Sequence, residues 1–139
     1  MNLNYYDTLI AVADDCPVER AEVPVPRNGK PTIASVQFTM LTGDPGVLTQ
    51  EDVLFETWLR RQDPAPDAQA HPALRDAFFS RSQACLRASP LPKRHGWGLL
   101  FDGDGRVRLC PMESEEYRRI VAGEVPGVTV LKAMRTRRG

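Results

Sequence analysis

A chain of 139 residues with 42% hydrophobic content has the length of one domain and enough apolar residues for a sizeable core. Its 18 basic and 18 acidic side chains cancel, so no global field draws in nucleic acid or an anionic membrane, and no apolar run reaches the roughly 18–20 residues of a spanning helix. The first residues lack the basic and apolar regions of a secretory signal, and three cysteines without paired spacing predict reduced thiols in a cytoplasmic protein.

In residues 5–13, Leu9 and Ala11 alternate with Ile10 and Val12, so both faces are apolar and a strand buried on both sides is predicted. Asp14-Asp15-Cys16-Pro17 stops it. Residues 19–31 hold three prolines and a glycine and read as an exposed connection. Over 32–41, Ala34, Val36, Phe38 and Met40 alternate with Ser35, Gln37 and Thr39, which predicts a half-buried strand ended by Gly43-Asp44-Pro45-Gly46.

A helix opens at Thr49, with Asp52 as its capping-box partner. Leu54, Phe55, Trp58 and Leu59 form its apolar stripe, Glu51, Asp52, Arg60 and Arg61 complement its dipole, and Glu56 and Arg60 have the spacing of an outer ion pair. After a loop over 63–70, Pro72 starts a second helix with Leu74, Ala77 and Phe78 on its apolar side. Cys85 follows Phe78 by seven residues and shares that face if the helix runs on, while Ser80 and Ser82 equally allow a break. Ser89-Pro90 reads as an N-cap and first helical residue, with Lys93, Arg94 and His95 in the last turn before Gly96.

Residues 97–102 and 106–110 flank Gly103-Asp104-Gly105, a strong hairpin signal. Residues 114–122 form a third helix with Tyr117, Ile120 and Val121 inward, 128–134 the last strand, and 135–139 a frayed tail. The order β-β-α-α-β-β-α-β describes one α+β domain over 1–139. Its expected sheet has about five mostly antiparallel strands, with helices packed on one face.

Chemistry concentrates in 82–98. Cys85 with His95 is a candidate catalytic pair, since a thiolate needs a base or cation beside it. Cysteine is more often a small core residue, by roughly three to one. Arg87, Ser89, Lys93 and Arg94, with Trp97 nearby, are the candidate ligand-binding residues for an anion. Cations would surround a helix start there, unless they pair with the acidic run 113–116.

No metal site is expected: the cysteines, His71 and His95 lack zinc spacing, and Asp102-Gly103-Asp104-Gly105 lacks the other ligands of a calcium loop. Cys110, with Arg106 and Arg108, points to a polar strand face. Without a phosphate-binding glycine loop, nucleophile elbow or dinucleotide fingerprint, no cofactor is expected. The C-terminal arginines lack the interleaved aromatics of a nucleic-acid surface.

Four stretches are distinctive together: Tyr-Tyr-Asp-Thr-Leu-Ile-Ala-Val-Ala-Asp-Asp-Cys-Pro (5–17), Thr-Gln-Glu-Asp-Val-Leu-Phe-Glu-Thr-Trp-Leu-Arg-Arg-Gln (49–62), Ala-Cys-Leu-Arg-Ala-Ser-Pro-Leu-Pro-Lys-Arg-His-Gly-Trp-Gly (84–98) and Glu-Ser-Glu-Glu-Tyr (113–117). They resemble a family of small uncharacterised bacterial and fungal proteins, a domain of unknown function. The resemblance implies one self-contained domain of this length and supplies no reaction or cofactor. It also implies tyrosine at the position of His95, so chemistry requiring this histidine would not be general to the family. The functional expectation is a binding module for an anionic small molecule or an acidic protein segment. The alternatives are an enzyme using Cys85 and a homodimer formed through a sheet edge or the Trp58 helix.

Overall fold

Strand β1 (Thr8–Ala11) is buried along its whole length, as its two apolar faces require. The computed structural model describes residues 3–136 and places β1 inside a four-stranded sheet. β2 (Trp97–Phe101) pairs antiparallel with β1, and β3 (Val107–Pro111) antiparallel with β2 through the predicted hairpin. β4 (Thr129–Lys132) lies on the other side of β1 and runs parallel to it, giving the order β3-β2-β1-β4. Between β3 and β4, helix α5 (Glu115–Val121) carries the chain back across the sheet, and such a crossover makes β4 parallel to both β3 and β1. The sheet is therefore mixed and four-stranded among the described residues, not antiparallel and five-stranded.

The missing strand is a helix. Residues 32–41 form most of α1 (Ile33–Gly43), opened by a capping box in which Ser35 N–H donates to Thr32 Oγ1 (3.1 Å) and Thr32 N–H to Ser35 Oγ (2.9 Å). Ala34, Gln37 and Leu41 lie at i, i+3 and i+7, and Val36 and Met40 at i and i+4, so the buried set follows helical spacing. The alternation of apolar residues counted Gln37 as outward, whereas it is buried.

Helices α2 (Gln50–Arg60), α3 (His71–Phe79) and α4 (Pro90–Arg94) follow, with the predicted caps at Thr49 and Ser89 and proline in the first turns of α3 and α4. Among the described residues no ion pair joins Glu56 to Arg60; Asp52 takes Arg75 of α3 instead, at 3.0 Å. α3 ends at Phe79, so Cys85 lies beyond it.

Both faces of the sheet are covered, correcting the expectation of helices on one face. Ile10, Leu99, Phe101 and Val107 pack with Met40, Leu41, Val53 and Leu91 of α1, α2 and α4. On the opposite face Leu9, Ala11, Leu100 and Cys110 pack with Ile120 and Tyr117 of α5. Val121, expected inward, is exposed, because a seven-residue helix turns only a narrow stripe to the sheet. Of the tail 135–139, Thr136 N–H donates to Asp15 Oδ2 (2.9 Å) and Arg135 reaches Asp14 (3.4 Å). Residues 137–139 lie outside the described residues.

Candidate functional site

The residues singled out in 82–98 do not share one surface. Cys85 precedes a single 3-10 turn (Leu86–Ala88), half-buried, with its thiol beside the Tyr5 hydroxyl. The adjacent backbone is held from beneath by Gln50, whose side chain is 1% exposed. Gln50 Oε1 accepts from Leu86 N–H (2.8 Å), and its amide donates to the carbonyl of Leu3. Burial, followed by the hydrogen bond with Cys85, pushes the Tyr5 phenol up to about 12. It therefore stays protonated at neutral pH and offers the thiol no base.

His95 makes no contact with Cys85 among the described residues. It caps the C-terminus of α4, and its carbonyl accepts from Glu22 N–H (2.9 Å). Burial holds the imidazole pKa below its ordinary value; the nearby Arg94 charge acts the same way, against an opposing pull from Glu22.

Arg87 turns to the sheet edge, where its Nε donates to Lys132 O (2.8 Å) and its own carbonyl accepts from Met134 N–H (2.9 Å). Ser89 is 4% exposed. Its hydroxyl accepts from Leu91 N–H (3.2 Å) and donates to Gln37 Oε1 (2.6 Å). Gln37 Nε2 in turn donates to Thr57 Oγ1 (3.3 Å). Trp97 Nε1–H donates to Glu22 O (2.8 Å), and its ring lies 5.2 Å from that of Phe38. Lys93 is half-buried and in no ion pair among the described residues.

The acidic run pairs elsewhere: Glu113 accepts from Ala21 N–H (3.0 and 3.3 Å), and Glu116 takes Arg108 in a bidentate pair (2.6 and 2.7 Å). Cys110 corrects the expectation of a polar strand face. It is fully buried against α5, and burial pushes its thiol up.

Arg94 and His95 face a groove of about 830 Å³ that the sequence did not announce. Its other walls are residues 24–28 and 30–34, Pro90 at the start of α4, and Arg61 at the end of α2. Arg27 and Lys30 exchange both backbone hydrogen bonds (2.9 Å each) across Asn28 (φ 53°) and Gly29 (φ 74°). Positive φ at both central positions is the signature of a two-residue type I′ turn. Residues in such a pair project to the same side, so two cations stand directly opposite each other, an arrangement that is unfavourable without a counter-charge.

Arg61 and Arg94 bring the groove to four full cations. None of the four is in an ion pair among the described residues, and no Asp or Glu lines the groove. The first turn of α1 opens here too, with the N–H groups of Ile33 and Ala34 lacking intrahelical acceptors. Sequence reasoning placed Arg27 and Lys30 in an exposed connection and Arg61 at a helix dipole. The available signal was Asn28-Gly29 between two cations, a turn dipeptide that sets its neighbours side by side.

Compared with known families, the whole chain, residues 1–139, matches a family of unknown function, DUF6157. The chain belongs to that family. No curated protein and no solved structure matches it. As a DUF6157 protein it agrees with the resemblance carried by the stretches at 5–17, 49–62, 84–98 and 113–117. The family description assigns no reaction or ligand, so a functional reading of this DUF6157 chain has to start from its geometry. No helix of the described residues is long and apolar enough to cross a membrane.

Proposed function

We propose that this protein is a binding module for an anionic ligand, a small molecule bearing phosphate or carboxylate groups or an acidic protein segment. The ligand is seated among Arg27, Lys30, Arg61, Arg94 and His95. The observation that supports this most is the absence of any carboxylate from the groove lining while Arg27 and Lys30 are forced together by a two-residue turn. Converging cations without a counter-charge raise the local potential, and a bound anion relieves their repulsion while gaining charge-assisted hydrogen bonds. Of the residues first proposed for ligand binding, Arg94 remains in this reading. Arg87, Ser89 and Trp97 have partners within the fold, and Lys93 does not line the groove.

Calorimetric titration with sodium pyrophosphate, citrate and an Asp/Glu-rich peptide at low salt tests it. At least one of these anions should bind, and binding should weaken with added salt. Lys30→Ala and Arg94→Ala should each lower affinity about tenfold, the size of one charged hydrogen bond. Arg87→Ala should bind like the wild type. Absence of binding by all three anions, or an unchanged affinity in the Lys30→Ala/Arg94→Ala double variant, overturns the proposal.

A Cys85 nucleophile is less well supported: its neighbour is a phenol that stays protonated, and His95 lines the groove instead.

A further inference from the structure

A second cleft, sharing no residue with the cationic groove, opens between α5 and the β2–β3 hairpin, with a volume of about 540 Å³. Its floor is apolar, made by Leu100, Ile120, Val125 and Val128. Several charged groups around it are already committed. Arg108 and Glu116 neutralise each other in their bidentate pair. Asp102 Oδ1 accepts from the N–H groups of Asp104 and Arg106 (2.9 Å each) and so holds the hairpin turn. What remains are two carboxylates, Asp7 and Glu115, and two guanidiniums, Arg106 and Arg119, none in a side-chain hydrogen bond or ion pair among the described residues.

Asp7 is held there at a conformational cost. Its φ is 46°, in the left-handed region that L side chains seldom adopt. Two backbone bonds fix it: its N–H donates to Asp102 O (3.0 Å), and its carbonyl accepts from Thr129 N–H (2.8 Å). Glycine would adopt this conformation without strain, and strained non-glycine residues cluster at functional sites. Gly103 stands opposite the carboxylate, and a side chain there would come within 3.6 Å of Asp7 Oδ1.

We infer that this cleft binds a zwitterion with an apolar body, an amino acid or short peptide, whose ammonium meets Asp7 and whose carboxylate meets Arg106 and Arg119. The apolar floor takes the hydrocarbon part, as in small-molecule sites of similar volume. A ligand with one sign of charge would answer only the carboxylates or only the guanidiniums, whereas one carrying both meets Asp7, Arg106 and Arg119 together and leaves Glu115 at the rim.

Methyl NMR titrations with L-phenylalanine and the dipeptide Leu-Leu test the inference and separate free amino acid from peptide. N-acetyl-Leu-Leu and Leu-Leu amide serve as the forms lacking one charge. At least one zwitterion should shift the methyl resonances of Ile120, Val125 and Val128. Each blocked dipeptide should bind about tenfold more weakly than Leu-Leu, the worth of one charged hydrogen bond. Asp7→Gly removes the carboxylate while relaxing the backbone, so it should retain or raise thermal stability and lose the preference for a free ammonium. Arg119→Gln should lose the preference for a free carboxylate. If neither zwitterion moves those methyls, if blocked and free dipeptides bind alike, or if Asp7→Gly keeps its preference, the inference is overturned. The comparison of blocked and free ligands on the wild type decides the matter even if a variant fails to fold.

Discussion

Ser89 donates to Gln37 and accepts from Leu91, so alanine there removes a helix cap and strands a buried amide oxygen. A lost cap amounts to about 1 kcal/mol, and an unsatisfied buried polar group to about 1–3 kcal/mol. Ser89→Ala should therefore lower unfolding stability by about 2–4 kcal/mol in urea titrations while pyrophosphate affinity stays unchanged. Lost affinity with intact stability would instead make Ser89 a ligand residue. Gly96 is constrained in a related way. It sits at φ 78°, and a Cβ there would lie 2.9 Å from both Arg20 O and Met112 Sδ, so the glycine that stops α4 also admits the 20–22 segment that carries Glu22 to His95 and Trp97.

At the scale of elements, β4 is an edge strand, and exposed strand edges invite pairing with other chains. Here the carbonyl of Lys132 accepts from Arg87 Nε, and Met134 N–H donates to Arg87 O, so one residue of the 3-10 turn satisfies two backbone groups beside the edge. Arg87→Ala keeps the second bond and loses the first. A stability loss of about 1 kcal/mol is expected, with concentration-dependent association in light scattering. A variant as monodisperse as the wild type would show that this cap does not guard the edge. A homodimer through β4 would have to displace Arg87, which weighs against that form of the dimer expectation. α3 is attached differently: none of its residues is fully buried, and Phe78 reaches Phe55 and Trp58 of α2 at 5.7 and 5.8 Å between ring centroids.

At the scale of the whole molecule, acid should act in two stages. His95 has a folded pKa below its ordinary 6.5, so the unfolded chain binds the proton first, and stability falls as pH drops through 6.5 toward the folded value. Asp14, held down by Lys132 and Arg135, and Glu116, held down by Arg108, contribute stability above their ordinary 3.8 and 4.5. That contribution is lost as pH falls on through their lower folded values. Urea unfolding across pH should show both declines, and His95→Gln should abolish only the upper one. A single decline, unchanged by His95→Gln, would contradict the assignment. A bound anion would favour the protonated imidazole against the pull-down from burial and Arg94, so anion affinity should rise as pH falls toward the folded value below 6.5.

What the sequence determined by itself rests on near neighbours along the chain. The two-sided apolar run of β1, the caps at Thr49 and Ser89, the prolines that begin α3 and α4, and the Asp102–Arg106 hairpin all read correctly, because each depends on contacts within a few residues. The α+β class and membership of one family over the full length were legible for the same reason. Residues 32–41 were not. Their alternating apolar residues fit a strand as well as a helix, and only the buried bonds from Gln37 to Ser89 and Thr57 reveal which face turns inward. The parallel β4, the helices on both faces and the meeting of Arg27, Lys30, Arg61 and Arg94 were likewise decided by the tertiary structure. Each joins segments far apart in the chain, and no local pattern encodes the closure of such long loops.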